Sequence, residues 1–221
     1  MIKKLFITAI ICLIAIAGIQ AQNNTFKQEL ALGASFGMNF STVSFAQTRV
    51  NTKMKLGYNG GLTLRWNTEK NLGLQGELNF TQQGWDEQFD DPQYKYTRTI
   101  NYIELPIFTH IYFGSKRFKV FVNLGPKIGY AFSESTDENL NGATPNNENT
   151  QHGIPVEKKF DWGLCGGPGI ELRTGIGYFL LEGRYYYALG DIFNSRNEDY
   201  FAKSSNQVIS AKITYMLPLF K

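Results

Sequence analysis

Eight stretches of this chain alternate apolar and polar residues in steps of two, and their connectors run long, short, long, short to the end. Successive side chains of a strand point to opposite faces, so this period builds a sheet with one greasy and one polar side. The stretches are Gln28–Phe40, Met54–Trp66, Leu72–Gln83, Thr99–Phe113, Arg117–Phe132, Phe160–Leu172, Gly177–Leu189 and Gln207–Leu219. Each exceeds the ~5–6 residues of an ordinary globular strand and suits a tilted strand that crosses a bilayer in ~9–11. The short connectors are Asn67–Asn71, Gly114–Lys116 and Arg173–Ile176. The long ones are Ser41–Lys53, Gly84–Arg98, Ser133–Lys159 and Gly190–Asn206. Brief turns at one rim and extended loops at the other characterise outer-membrane barrels, and an even strand count puts both termini at the short-turn, periplasmic rim.

The period by itself leaves open which face points outward, because a soluble, lipocalin-like barrel alternates in the same way with its apolar face inside. Three features favour the membrane. Whole strands carry an apolar face nearly free of charge, as in Leu72, Leu74, Leu78 and Phe80 or in Phe179, Leu181, Tyr185 and Leu189; in water such a surface aggregates. The opposite face is rich in small polar residues (Gly33, Ser35, Gly37, Asn39, Asn59, Gly61, Thr63), which a narrow eight-strand interior requires. Aromatic residues of the apolar face also gather at strand ends: Trp66, Phe113 and Phe118 towards the periplasmic rim, Tyr130, Trp162 and Tyr187 towards the outer one. The expected fold is an all-β, eight-stranded, antiparallel up-and-down transmembrane barrel, in contact with outer-membrane lipid.

The N-terminus reads as an address. Lys3 and Lys4 precede an apolar run from Leu5 to Ile19, and Ile19-Gln20-Ala21 ends in a small residue suited to cleavage. The run is shorter than the ~20 residues of a membrane helix. Residues 1–21 are therefore expected to be a signal peptide and 22–221 the barrel, sited in the outer membrane. Removing the signal leaves 20 basic against 19 acidic side chains and lowers the net charge from +3 to +1. That balance, without a clustered basic face, gives no footprint for nucleic acid. Cys165 is the one cysteine beyond the signal, so no intramolecular disulfide staples the chain.

Charged residues of both signs fall on the polar face: Arg65, Glu77, Glu104, Lys127, Glu171, Glu182, Arg184 and Lys212. Counted from the turns, Glu77, Glu104, Glu182, Arg184 and Lys212 belong near mid-barrel. Charges in a tight lumen must be paired, so the set is read as a structural ion-pair plug; the sharper alternative is the gate of a narrow, selective path. No large pore is expected, since an eight-strand bore has little room beyond its own side chains.

Catalysis and metal binding find little support. His110 reads as lumen packing, and His152 lies in an Asn-rich loop without a nucleophile motif. Trp85-Asp86-Glu87 and Asp90-Asp91-Pro92 offer four carboxylates, but their spacing departs from a calcium loop and reads as a solvated acidic connector. No metal or cofactor is expected. Ser133–Lys159, polar with little to bury, is expected to be mobile; with Gly84–Arg98 it is the expected contact surface for surface or envelope proteins. Pro126, Pro168 and Gly166-Gly167 suggest bulges or bends that help the sheet close.

Asn101-Tyr102-Ile103-Glu104-Leu105-Pro106-Ile107, then Gly125-Pro126-Lys127-Ile128-Gly129-Tyr130, resembles the PorT-like outer-membrane β-barrel family of Bacteroidota. Phe160-Asp161-Trp162-Gly163-Leu164-Cys165-Gly166-Gly167 and Gly183-Arg184-Tyr185 with Leu189-Gly190-Asp191-Ile192 extend the likeness over nearly all of the mature chain. The resemblance implies the barrel fold. Its founding member is implicated in assembling a secretion and gliding apparatus, a role that fold-level likeness does not transfer. The leading expectation is a non-enzymatic anchor or scaffold meeting surface partners through its long loops. A narrow channel, or an accessory of a secretion machine, is the alternative.

Overall fold

A computed structural model describes residues 26–45, 51–141, 152, 154–193 and 204–220, the side chain of Phe220 excepted; the expected signal peptide lies outside them. Eight strands follow one another: β1 (Glu29–Phe45), β2 (Thr52–Glu69), β3 (Leu72–Glu87), β4 (Lys95–Gly114), β5 (Phe118–Asn139), β6 (Phe160–Arg173), β7 (Tyr178–Ala188) and β8 (Ser204–Phe220). Each pairs antiparallel with its neighbour in sequence, and β1 pairs with β8 to close the barrel. Closure leaves no open edge, as hydrocarbon demands, because lipid offers backbone N–H and C=O groups no partner.

Alternation decides which side chain faces where. Leu62, Leu78, Leu124, Leu164 and Ile213 project outward, with Leu124 60% and Ile213 63% exposed, while the residues between them are turned inward. Outward aromatics stand near the short turns at Trp66, Phe113, Phe118, Phe179 and Tyr215. A second group lies towards the other end at Tyr58, Tyr130, Phe132, Phe160 and Trp162, with Tyr187 half-buried among them. The tight turns use residues that tolerate positive φ: Asn71 (φ 73°), Gly114 (φ 132°) and Gly177 (φ 148°).

Three expectations need correction. The strands run further towards the outer rim than the alternation reaches: β3 continues through Glu87, β4 begins at Lys95 and β5 continues through Asn139. The connector read over 84–98 thus shrinks to residues 88–94. Beyond the membrane both faces of a strand can be polar, so the hydrophobic period fades while the hydrogen-bonded ladder persists.

Pro126, Pro168 and Gly166-Gly167 do not shift the register. The irregularities fall instead at Leu30/Ala31, Met54/Asn59, Asn67/Glu69 and Asn101/Tyr102. Each proline interrupts one ladder and keeps its pairing on the other side. Paired positions between β6 and β7 step from Gly166↔Tyr185 to Gly169↔Glu182, while Pro168 still faces Val122 across β5. A missing N–H weakens one flank of a strand and leaves its path unchanged.

The interior, finally, is not uniformly polar. Three apolar clusters share it with the charges: Ala31, Tyr112, Phe121, Tyr178, Leu180 and Met216; Phe108, Cys165, Tyr186, Ala188 and Val208; and, at the outer end, a group around Trp85. A bore too narrow for bulk water is filled by side-chain volume, and rings occupy the space between ion pairs.

Candidate functional site

The eight charged residues singled out in the sequence are all buried inside the barrel. They fall into three sets stacked along the bore, each with equal numbers of cations and carboxylates.

The central set is built on Glu77 of β3. Its carboxylate accepts from Arg184 Nη1 and Nη2 (2.8 and 2.6 Å) and from Lys212 Nζ (2.6 Å), reaching across the bore to β7 and β8. The amides of Gln75 and Asn79 donate to it as well, at 2.6 and 2.9 Å. Arg184 also donates to Glu182 (2.7 Å), Glu182 accepts from the Asn123 amide (2.8 Å), and the Asn123 oxygen lies 2.8 Å from His110 Nδ1. The guanidinium of Arg184 lies 4.7 Å from the centre of the Phe108 ring. One carboxylate thus takes five donors, the satisfaction that makes a buried charge tolerable.

Towards the periplasm, Arg65 donates to Glu171 (2.5 Å) and to the oxygen of Gln75 (2.7 Å), which joins this set to the central one. Three further residues join this set. Arg173 donates to Glu171 and, at 2.8 Å, to Glu29; Tyr178 donates to the other Glu29 oxygen. The connector expected over Arg173–Ile176 begins one residue too early: Arg173 closes β6 and shares the inward parity of Glu171, the sequence signal that marks it.

Towards the outside, Glu104 accepts from Lys127 Nζ (2.5 Å), Gln83 (2.5 Å) and Thr81 (3.0 Å). Lys127 Nζ rests 3.4 Å from the centre of the Tyr186 ring. Asp161 accepts from Asn206, at 3.0 Å.

The outer mouth is capped. Trp85, in the connector read as solvated, is fully buried with Val43, Ile100, Tyr102, Ala131, Val156, Ile192 and Phe193. Arg98 lies over the Trp85 and Phe193 rings (5.6 Å each) and donates to Glu134 (2.6 Å) and to the Ile154 carbonyl (2.5 Å). Glu134 in turn accepts from the Val156 N–H, at 3.2 Å. The stretch 154–156, expected to be mobile, is therefore pinned in part: Ile154 and Val156 do have apolar surface to bury. Removing Arg98 should free it. R98A is expected to speed protease cleavage between residues 140 and 159 by roughly ten-fold or more, as loss of buried charged hydrogen bonds worth ~1.5–3 kcal/mol implies. The barrel should keep its heat-dependent gel shift; cleavage at the wild-type rate would show that Arg98 does not hold the cap.

His152 stacks on Tyr96 (3.8 Å between ring centres) with Nε2 3.0 Å from both Glu87 oxygens. These described contacts tie a loop to a strand. Two other acids of the 84–98 stretch have separate partners: Asp86 accepts from Thr97 and Asp91 from Gln93. Among the described residues no cluster of His, Cys, Asp or Glu could hold a metal ion.

A closed ring of eight strands, greasy outside and ion-paired within, has the architecture of an outer-membrane β-barrel. Sequence comparison agrees: the chain belongs to the outer membrane protein beta-barrel domain family, whose model matches residues 20–194. No curated protein matches it significantly in sequence. Among solved structures it is similar to Ail, the attachment invasion locus protein of Yersinia pestis (14% identity, 86% of this chain and 99% of that one, TM-score 0.43). It is also similar to Neisserial surface protein A (12%, 86% and 99%, 0.44) and to E. coli outer membrane protein W (16%, 88% and 100%, 0.41).

Proposed function

We propose that the protein is a non-conducting, non-catalytic membrane anchor that acts through its outer face. The filled bore carries this reading. From Glu29 at the periplasmic mouth to Val156 at the outer one, paired charges and packed rings follow one another among the described residues. The cavity between Asn79, Glu104, Lys127 and Arg184 measures about 30 Å³, room for about one water molecule.

With the bore closed, function is left to surfaces. Outward apolar positions on β5 end at Phe132, whereas the strand continues, exposed and polar, through Asn139 beside Lys95–Asn101 of β4. This ledge and the 88–94 connector form the face offered to surface or envelope proteins. The segments that resemble PorT-like barrels support one class of partner, the components of an envelope secretion machine.

In planar bilayers the purified protein is expected to produce no nanosiemens, porin-like steps, and such steps would overturn the anchor reading. Crosslinking in intact outer membranes should capture partners that are lost when residues 88–94 are replaced by a short Gly-Ser turn. Unchanged capture would move the partner surface elsewhere.

A further inference from the structure

We infer that the lipid-facing wall carries a groove for one anionic phospholipid of the periplasmic leaflet. Most outward positions bear Leu, Ile, Val or aromatic side chains, but on three adjacent strands they thin out. Where the β6–β7 ladder breaks, between Gly166↔Tyr185 and Gly169↔Glu182, the unchanged register brings Pro168 level with Gly183, and Gly183 pairs in turn with Ala211 of β8. A trough of about 490 Å³ lies on β4–β7, floored by Pro168 and Gly183 and bounded by Ile111, Phe113, Val122, Ile170 and Leu181. At Gly183 the space is open: a Cβ there would meet no atom within 4 Å.

Its depth suits one leaflet. The trough runs from Phe113, beside the β4–β5 turn, to Gly183, at the midpoint of β7. Five residues at ~3.3 Å each along a strand tilted ~45° climb about 12 Å, half of an apolar band ~25 Å tall. An acyl chain fills such a trough because a gap there forfeits dispersion contacts on both sides.

Charge at the mouth selects the headgroup. Lys116 and Arg117, both exposed, form the turn between the strands that carry Phe113 and Val120. Neither 114–120 nor 173–178 contains an acid, and Glu29 and Glu171 are turned into the bore, where they hold Arg173. A phosphodiester without a compensating ammonium is the headgroup that these cations favour.

The test uses the full barrel reconstituted in vesicles of equal parts phosphatidylglycerol and phosphatidylethanolamine, then released in mild detergent for native mass spectrometry. The wild type should retain phosphatidylglycerol preferentially. G183L, whose Cβ enters open space and whose side chain projects into the trough, should lower retention of both lipids by roughly five-fold, while K116Q/R117Q should erase the preference and leave the total nearly unchanged. A heat-dependent gel shift confirms that each variant is folded, and the turn variant tests the assignment even if G183L does not assemble. The inference is overturned by a wild type that retains no lipid or both alike, or by a G183L barrel with undiminished retention. A dimer dispersed by G183L would also overturn it, because a second copy would then cover the trough.

Discussion

Replacing Glu77 by alanine is expected to cost the folded barrel about 3–5 kcal/mol, the penalty for stranding buried charges. The substitution leaves Arg184 and Lys212 facing Glu182 alone, and takes the acceptor from the amides of Gln75 and Asn79. Bulk water cannot compensate, because the adjoining cavity admits about one molecule. E77Q keeps the shape and should lose less, since one amide oxygen still accepts. The double variant E77A/R184A should fall short of the sum of its singles by ~0.5–3 kcal/mol, the coupling expected of groups in one network. Equilibrium urea unfolding in phospholipid vesicles, followed by gel mobility and tryptophan fluorescence, measures these three variants and the R184A single. A loss below ~1 kcal/mol for E77A would mean that solvent screens the cluster and that the bore is wet.

The second large effect lies on the opposite face. Leu62, 57% exposed, stands seven positions along β2 from its periplasmic end, near the middle of the apolar band. L62R is expected to destabilise the barrel by about 2–4 kcal/mol in the same assay, whereas W66R, near the rim, should cost only ~0–1 kcal/mol, because arginine on the lipid face is penalised according to depth. Equal effects at the two positions would remove lipid from the account of this surface. In detergent micelles the contrast should shrink, since water reaches the whole surface more easily.

Much of this architecture is legible in one strand at a time. Leu72, Leu74, Leu78 and Phe80 against Gln75, Glu77, Asn79 and Thr81 already separate a lipid side from a bore side, for the period of a strand is set by its backbone. The same parity marks Arg65 and Lys212 as inward. It does not show that Glu77 reaches Arg184, 107 residues later, or that Arg65 meets Glu171. Those pairs depend on how the strands stagger on closure, a property of the whole ring. The places of Trp85 and Arg98 on β3 and β4 are hidden for a related reason: outside the membrane the contrast between faces disappears, so nothing local announces that a strand continues.

Taken by itself, the sequence determined the strand count, the long and short rims, the face each side chain takes and hence the membrane setting, because these follow from local periodicity and hydropathy. Only the tertiary structure decided which charges neutralise one another, how rings and a pinned loop segment cap the outer mouth, and where bare glycine opens a trough towards lipid. The physical reason is that pairing across a barrel is fixed by register and shear. Neither exists until the first strand has met the last.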